Sequence, residues 1–148
     1  MMEIVVAYGL PGSGKSTLLC NLYCEAILEN NAEIIFFDTP DRRKFIKKFF
    51  IEDLIEEDKI IYVDFLLQDP HKLLQVISDR CFKDTRVVIH QFIPDIKACI
   101  DNDRKRGREL DATPTIKNMK IKLLNEDEVN RQYTNMKITI ITHNTYKE

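Results

Sequence analysis

A short run rich in glycine constrains the fold of this chain more than any other feature. Residues 9–17 read Gly-Leu-Pro-Gly-Ser-Gly-Lys-Ser-Thr, and the apolar segment Ile4–Tyr8 comes directly before them. A stretch with helical character follows, from Thr17 to about Leu28. An apolar strand, a glycine turn and a helix in direct succession predict the first strand–loop–helix unit of a layered α/β sheet.

The same run matches the pattern G-x-x-x-x-G-K-[ST] in full. Glycines allow a tight turn whose consecutive N–H groups point at one oxyanion, and the positive end of the next helix dipole adds to that field. The predicted phosphate-binding residues are Gly9, Pro11, Gly12, Ser13, Gly14, Lys15, Ser16 and Thr17. Lys15 is expected to reach the outer phosphates of a nucleotide, and the Ser16 hydroxyl to help hold Mg²⁺. A glycine turn without a ligand is the less favoured alternative.

The composition of the chain is that of a globular protein and argues against several classes of partner. The chain has 148 residues, 31% of them charged, and a net charge of −2, as expected for one ordinary globular domain. An acidic balance argues against a protein that coats nucleic acid with its whole surface, although it permits a local basic site. No segment approaches about 18 uninterrupted apolar residues and the start has no signal-peptide pattern, so no membrane partner is expected. The four cysteines form no C-x-x-C pair, which favours buried thiols in a cytoplasmic protein.

Strand-like apolar runs alternate with helix-like segments along the chain. We predict strands over residues 3–8, 33–37, 60–65, 86–92 and 137–142, and helices over residues 15–28, 40–57, 70–82, 94–106 and 114–124. This alternation implies right-handed crossovers and a mostly parallel, five-stranded sheet with helices on both faces. The prediction is one domain over residues 1–148, a three-layer α/β/α sandwich of the P-loop NTPase class. Ligands of such sheets bind past the carboxyl ends of the strands.

Two aspartates stand at predicted strand ends. Asp38 directly follows the second strand, and phosphoryl transfer to a hydroxyl needs a carboxylate that orients the acceptor and takes its proton. Asp38 also suits a helix cap ahead of Pro40, and the two roles are compatible. Asp64 ends the apolar run that begins at Ile60, a pattern typical of a carboxylate that helps hold Mg²⁺ or its water. A plain strand-end aspartate is the alternative for Asp64.

Two basic clusters are candidates for phosphate contacts. Arg42 and Arg43 come soon after the second strand, where they could bind a phosphate of the acceptor; a solvated helix face with ion pairs is an equal alternative. Arg104 and Arg106 lie in a basic stretch that ends at Gly107. This stretch suits a mobile lid that brings an arginine to the transferring phosphate. A basic surface turn is the alternative.

Taken together, these residues resemble a family of small P-loop kinases, typified by the kinase domain of phage 5′-polynucleotide kinase. The resemblance covers about residues 1–124 and rests on the order and spacing of the landmarks more than on residue identity. It implies ATP-dependent phosphorylation of a hydroxyl, with Mg²⁺ and a helical lid. By this resemblance Lys15 is the loop lysine, Asp38 the acceptor-activating aspartate and Arg106 the catalytic lid arginine.

Two positions depart from the pattern of that family. An arginine that holds the acceptor's phosphate is replaced by Asp41, and a further lid arginine is replaced by Asn102. The implied acceptor is the 5′-hydroxyl of a polynucleotide, or a nucleoside or nucleotide, with ATP or another nucleoside triphosphate as donor. The resemblance also suggests a phage or viral protein that acts in the host cytoplasm.

Two other functions stay open at this stage. One is a nucleotide-hydrolysing or regulatory module that works through a partner. The other is an accessory protein that binds nucleic acid through its basic lid, which the acidic balance disfavours.

Overall fold

The elements of the fold follow the predicted alternation of strands and helices. The computed structural model describes residues 2–29, 34–38, 60–65, 70–80, 85–107 and 112–147. The strands are β1 Met2–Tyr8, β2 Ile34–Asp38, β3 Ile60–Phe65, β4 Thr85–Ile93 and β5 Met136–Asn144. The helices in these residues are α1 Lys15–Glu29, α2 Pro70–Arg80, α3 Ile96–Lys105, α4 Thr113–Asn118 and α5 Glu126–Gln132. The predicted helix over residues 40–57 lies outside the described residues.

All five strands belong to one parallel sheet, in the order β2-β3-β1-β4-β5. The first strand is therefore central, and the chain builds outward from it to both edges. Parallel neighbours need long crossovers, and in an α/β protein these crossovers place helices against the sheet. The predicted α/β class with a parallel sheet is confirmed.

Helices pack on both faces of this sheet because β1 is apolar at every position from Ile4 to Tyr8. Successive side chains of a strand point to opposite faces. Ile4, Val6 and Tyr8 belong to a buried cluster with residues of α2 and α5, whereas Val5 and Ala7 cluster with residues of α1. The described part of the chain thus has helix, sheet and helix layers. No helix in these residues is long and apolar enough to cross a bilayer.

Side chains of α5 cover the outer edge of β5. The Asn130 amide donates to the Ile138 carbonyl at 2.7 Å and its oxygen accepts from the Ile138 N–H at 2.9 Å. Two residues further along β5, the Ile140 N–H donates to a carboxylate oxygen of Glu126 at 2.8 Å. Together they satisfy backbone groups that a neighbouring strand would otherwise pair with, which protects the edge from adding another chain.

The predicted helix over residues 114–124 is too long at its carboxyl end, since α4 ends at Asn118. Met119 is extended, with φ −76° and ψ 124°. Leu124 bonds instead to the side-chain amide of the buried Gln91 of β4. Its N–H donates to Gln91 Oε1 at 2.8 Å, and its carbonyl accepts from Gln91 Nε2 at 3.1 Å. These contacts to the sheet satisfy the backbone that a longer helix would have paired internally.

The expectation of buried thiols is wrong for Cys20 and Cys24, which are exposed on α1, while Cys99 is buried. The buried side of α1 contains Leu19. At 3.6 residues per turn, positions one and five residues later point about 100° and about 140° away from it. Both cysteines therefore face away from the sheet. Cys81 lies outside the described residues.

Candidate functional site

Residues 9–14, hereafter the glycine loop, join the carboxyl end of β1 directly to α1. Gly12 and Gly14 have φ of +80° and +102°, a backbone conformation that only glycine adopts readily. The Ser13 N–H donates to the Leu10 carbonyl at 3.1 Å and closes the turn. The first N–H groups of α1 have no partner within the helix, and they lie directly after the loop.

The amino end of α1 carries a positive field. Its first turn contains no acidic side chain, so nothing in that turn offsets the helix dipole. Lys15, the first residue of the helix, is 6% exposed. Its ammonium donates to the carbonyls of Gly9 and Leu10 at 3.3 and 3.4 Å, which holds the cation against the glycine loop. The loop and the helix start thus place a positive charge and a positive dipole end at one point.

Neighbouring elements pack tightly against the glycine loop. A β-carbon at Gly12 would lie 2.3 Å from the Cys99 carbonyl oxygen, and one at Gly9 would lie 2.9 Å from the Phe92 β-carbon. Helix α3 and strand β4 thus leave no room for side chains at these positions. The path of the loop is fixed by contacts from outside it as well as by its own turn.

The hydroxyl of Ser13 is an unusual feature of the loop. The residue is 1% exposed, and among the described residues its oxygen has no hydrogen-bond partner. A buried hydroxyl without a partner costs about 1–3 kcal/mol. The hydroxyl lies against the backbone of Gly9, 3.0 Å from the place that a β-carbon there would occupy, so it packs inside the turn of the loop.

A cleft of about 620 Å³ opens beside the glycine loop. Its described lining residues are Gly12, Gly14, Thr17, Leu18, Asn21, Phe92, Asn102, Lys105, Arg106, His143, Asn144 and Tyr146. The two residues of this lining that carry a full charge, Lys105 and Arg106, are both basic. The cleft therefore combines a positive rim with aromatic walls and amide groups.

Stacked rings form one wall of the cleft. The ring of His143 stacks on Phe92 with centroids 5.0 Å apart, and on His90 with centroids 5.1 Å apart. His90 Nδ1 and His143 Nε2 are 2.8 Å apart, so one ring donates to the other. Burial, and secondarily the neighbouring His143, lower the pKa of His90 to about 4, and burial also lowers the pKa of His143. This wall is consequently uncharged near neutral pH.

The segment that follows β5, residues 145–147, crosses the glycine loop. The Tyr146 N–H donates to the Ser13 carbonyl at 3.0 Å. The Asn102 side-chain amide of α3 donates both to the Gly12 carbonyl, at 2.9 Å, and to the Tyr146 carbonyl, at 2.6 Å. These contacts join α3, the loop and the post-β5 segment into one unit.

The sheet register brings both predicted aspartates to the edge at which the glycine loop begins. Ala7 of β1 pairs with Asp64 of β3, and Asp64 pairs with Asp38 of β2. Parallel strands lie about 4.8 Å apart, so the backbones of Asp64 and Asp38 are about 5 and about 10 Å from that of Ala7. The predicted acids therefore occupy adjacent strands beside the loop.

Of the four predicted arginines, the described residues place one in the lining of the cleft. Arg106 follows α3 directly and lines the cleft, with Gly107 after it at φ +63°. Arg104 is exposed in the last turn of α3 and is not among the described lining residues. Arg42 and Arg43 lie outside the described residues, so their assignment to an acceptor site stays a prediction.

Reasoning from sequence missed the walls of the cleft. Phe92, His143 and Tyr146 were not candidates, and Asn102 was noted only as a departure from a family pattern. The first three lie at or just past the carboxyl ends of β4 and β5. Inspecting every strand end in the way that led to Asp38 would have found them.

No protein-family model matches the chain, and no curated protein matches it. The functional argument therefore rests on the residues and on the geometry of the site.

Proposed function

We propose that this chain is a phosphotransferase that binds ATP, or another nucleoside triphosphate, with Mg²⁺ and transfers the γ-phosphate to a hydroxyl acceptor. One observation carries the proposal: a glycine loop with two left-handed glycines leads straight into the uncompensated positive end of α1. Such an end binds phosphate through backbone N–H groups and the helix dipole. The ammonium of Lys15 adds a full charge at the same place.

The shape of the neighbouring cleft favours a nucleotide over a simple anion. Its volume of about 620 Å³ is in the range of small-molecule sites, about 300–1,000 Å³. Phe92 and Tyr146 offer aromatic surface, and Asn21 and Asn144 offer amide groups, to a nucleoside whose phosphates lie on the loop.

The two aspartates at the carboxyl ends of β2 and β3 would supply carboxylates for a kinase reaction. Asp38, two strands from the loop, is assigned to orient the acceptor hydroxyl and to take its proton. Ser16 and Asp64 offer hydroxyl and carboxylate oxygens, the ligands that Mg²⁺ prefers. When bound, the cation would offset the charge of the phosphates.

The lid part of the proposal rests on Arg106. It lines the cleft at the end of α3, and Gly107 after it gives the chain a conformation that permits a turn. A guanidinium that pairs with phosphate oxygens stabilises charge that develops during transfer. Arg104, one position before Lys105, is assigned to the same lid, and Arg42 and Arg43 to the phosphate of the acceptor.

The test uses labelled ATP·Mg²⁺ with a panel of 5′-hydroxyl oligonucleotides, nucleosides and nucleotides. Wild-type protein is expected to label at least one of them. Lys15→Met should weaken ATP binding by roughly 30-fold or more, since a hydrogen bond to a charged group contributes about 2 kcal/mol. Asp38→Asn should keep ATP affinity and lower the transfer rate by about 10²–10⁴-fold. Lys97→Met, which changes an exposed lysine of α3 outside the described lining, is the matched control.

A second function, an NTPase or regulatory module without its own acceptor, is favoured by one observation. Asn102 stands where the resembled family has a lid arginine, and its amide is already bonded to two backbone carbonyls. Phosphate release that needs no acceptor, persists in Asp38→Ala and disappears in Lys15→Ala would favour this function. Failure of the wild-type protein to bind any nucleoside triphosphate would exclude both functions.

A further inference from the structure

The side chain of Asn102 connects two distant parts of the chain at the edge of the cleft. Its Nδ2 donates to the carbonyl of Gly12 in the glycine loop and to the carbonyl of Tyr146 after β5. An amide nitrogen has two hydrogens, so both bonds form at once. Asn102 is half-buried and lines the cleft itself.

Further bonds fix the post-β5 segment in place although it has no regular structure. The hydroxyl of Thr145, a residue that is 5% exposed, donates to the Ile93 carbonyl at 2.9 Å. The Lys147 ammonium is 3.3 Å from a carboxylate oxygen of Asp95, which caps the start of α3. The segment is therefore held on both sides of Tyr146.

Tyr146 itself presents an aromatic side chain to solvent in a defined position. The residue is 60% exposed, and its β-carbon would lie 3.1 Å from a β-carbon at Gly14. Its backbone is bonded at the N–H by Ser13 and at the carbonyl by Asn102. Because the backbone of this exposed residue is already fixed on both sides, the residue loses little further conformational freedom when a flat ligand stacks on its ring.

We propose that Asn102 is a positioning residue that holds Tyr146 as a stacking surface for the base of the nucleotide. This inference rests on the proposed nucleotide binding and adds that Tyr146 contacts the base of the nucleotide. Asn102 acts through Tyr146 and contacts no reacting atom.

The experiment is a double-mutant cycle on the full chain, with MgATP and inorganic tripolyphosphate as separate probes. Asn102→Leu removes both donors at similar volume, and Tyr146→Ala removes the ring. Each should weaken MgATP binding about tenfold, because stacking a base on an aromatic side chain contributes at this level. The double variant should also bind about tenfold more weakly, not about a hundredfold, because the first residue acts through the second.

The second probe separates a base contact from damage to the glycine loop. Tripolyphosphate has no base, so its affinity should be nearly unchanged in both single variants. Tyr146→Phe keeps the ring and should bind MgATP as wild type does. Asn118→Leu, at an exposed position of α4, is the matched control for an asparagine-to-leucine change.

The outcomes distinguish the two proposals. Wild-type protein that binds neither probe overturns the proposed function and this inference with it. Wild-type protein that binds MgATP while Tyr146→Ala binds it equally well overturns the inference alone. Equal loss for MgATP and tripolyphosphate in Asn102→Leu, or additive losses in the cycle, also overturns it. Should Asn102→Leu fail to fold, the comparison of Tyr146→Ala with Tyr146→Phe still decides.

Discussion

The carbonyl oxygen of Cys99 lies 2.3 Å from the place that a β-carbon on Gly12 would occupy. Backbone of α3 therefore packs directly on backbone of the glycine loop, with no side chain between them. Gly12 also has φ of +80°, so a larger residue there meets backbone strain and a collision at the same time. Tight packing and left-handed conformation are two separable requirements for glycine at this position.

Gly12→Ala is expected to destabilise the fold by about 2–5 kcal/mol. Left-handed backbone costs a residue with a β-carbon about 1–2 kcal/mol, and overpacking adds about 1–3 kcal/mol. Urea unfolding followed by circular dichroism measures the loss, and MgATP titration should show weaker binding because the loop must shift away from α3.

Gly107→Ala is the matched control for that prediction. Gly107 has φ of +63°, and among the described residues other than its chain neighbours no heavy atom lies within 4 Å of its added β-carbon. The change therefore retains the strain and omits the collision, and should cost about 1–2 kcal/mol. A Gly12→Ala variant that is no less stable than Gly107→Ala would show that α3 does not press on the loop.

The central strands could be predicted from sequence because their burial on both faces leaves a local signature. Ile60–Phe65 is predicted and observed with the same bounds, and β1 differs from its prediction by one residue. Runs of apolar β-branched residues fix such strands without reference to distant parts of the chain. The glycine loop has the same advantage, since its requirements lie within a few consecutive residues.

The walls of the cleft could not be predicted in this way because they depend on contacts far apart in sequence. Asn102 meets Gly12 across 90 residues and Tyr146 across 44. Helix α5, by contrast, had a local signal that was overlooked. The side chain of Asn125 accepts from the N–H of Glu128, which is an asparagine cap with an acidic first turn.

Gln91→Leu is expected to destabilise the protein by about 1–3 kcal/mol. The buried amide of Gln91 pairs with both backbone groups of Leu124, and leucine would leave that N–H and carbonyl unpaired in the interior. Chemical denaturation measures the loss. Gln75→Leu is the control, because Gln75 is exposed on α2 and bonds only to Asp79 among the described residues. Its stability should change by less than about 0.5 kcal/mol.

Asn130→Ala is expected to open the edge of β5. The substitution frees the N–H and the carbonyl of Ile138, and exposed edge groups pair with other chains. Light scattering at increasing concentration should show self-association that the wild type lacks, and the Ile138 amide should exchange hydrogen faster. Gln132→Ala, on the same helix and exposed, is the control. Equal scattering by both variants would mean that the Asn130 amide does not protect the edge.

Burial of His90 against His143 should make stability depend on pH. The pKa of His90 falls from its ordinary 6.5 to about 4 in the folded protein, chiefly through burial and then through His143. Between these values the unfolded chain binds the proton and the folded chain does not. Folding stability is therefore full above pH 6.5 and falls as the pH drops from 6.5 towards 4. The loss is about 1–3 kcal/mol, given about 1.4 kcal/mol for each unit of pKa.

The measurement is urea unfolding at several pH values for wild type and His90→Gln. Glutamine cannot be protonated in this range, while its amide can still bond to the ring of His143. The stability of the variant relative to wild type should therefore rise by about 1–3 kcal/mol as the pH falls from 7 to 4.5. His143 lies beside His90, and burial lowers its pKa as well. Both proteins keep the part of the pH dependence that comes from His143. Parallel pH curves for the two proteins would contradict a buried, neutral His90.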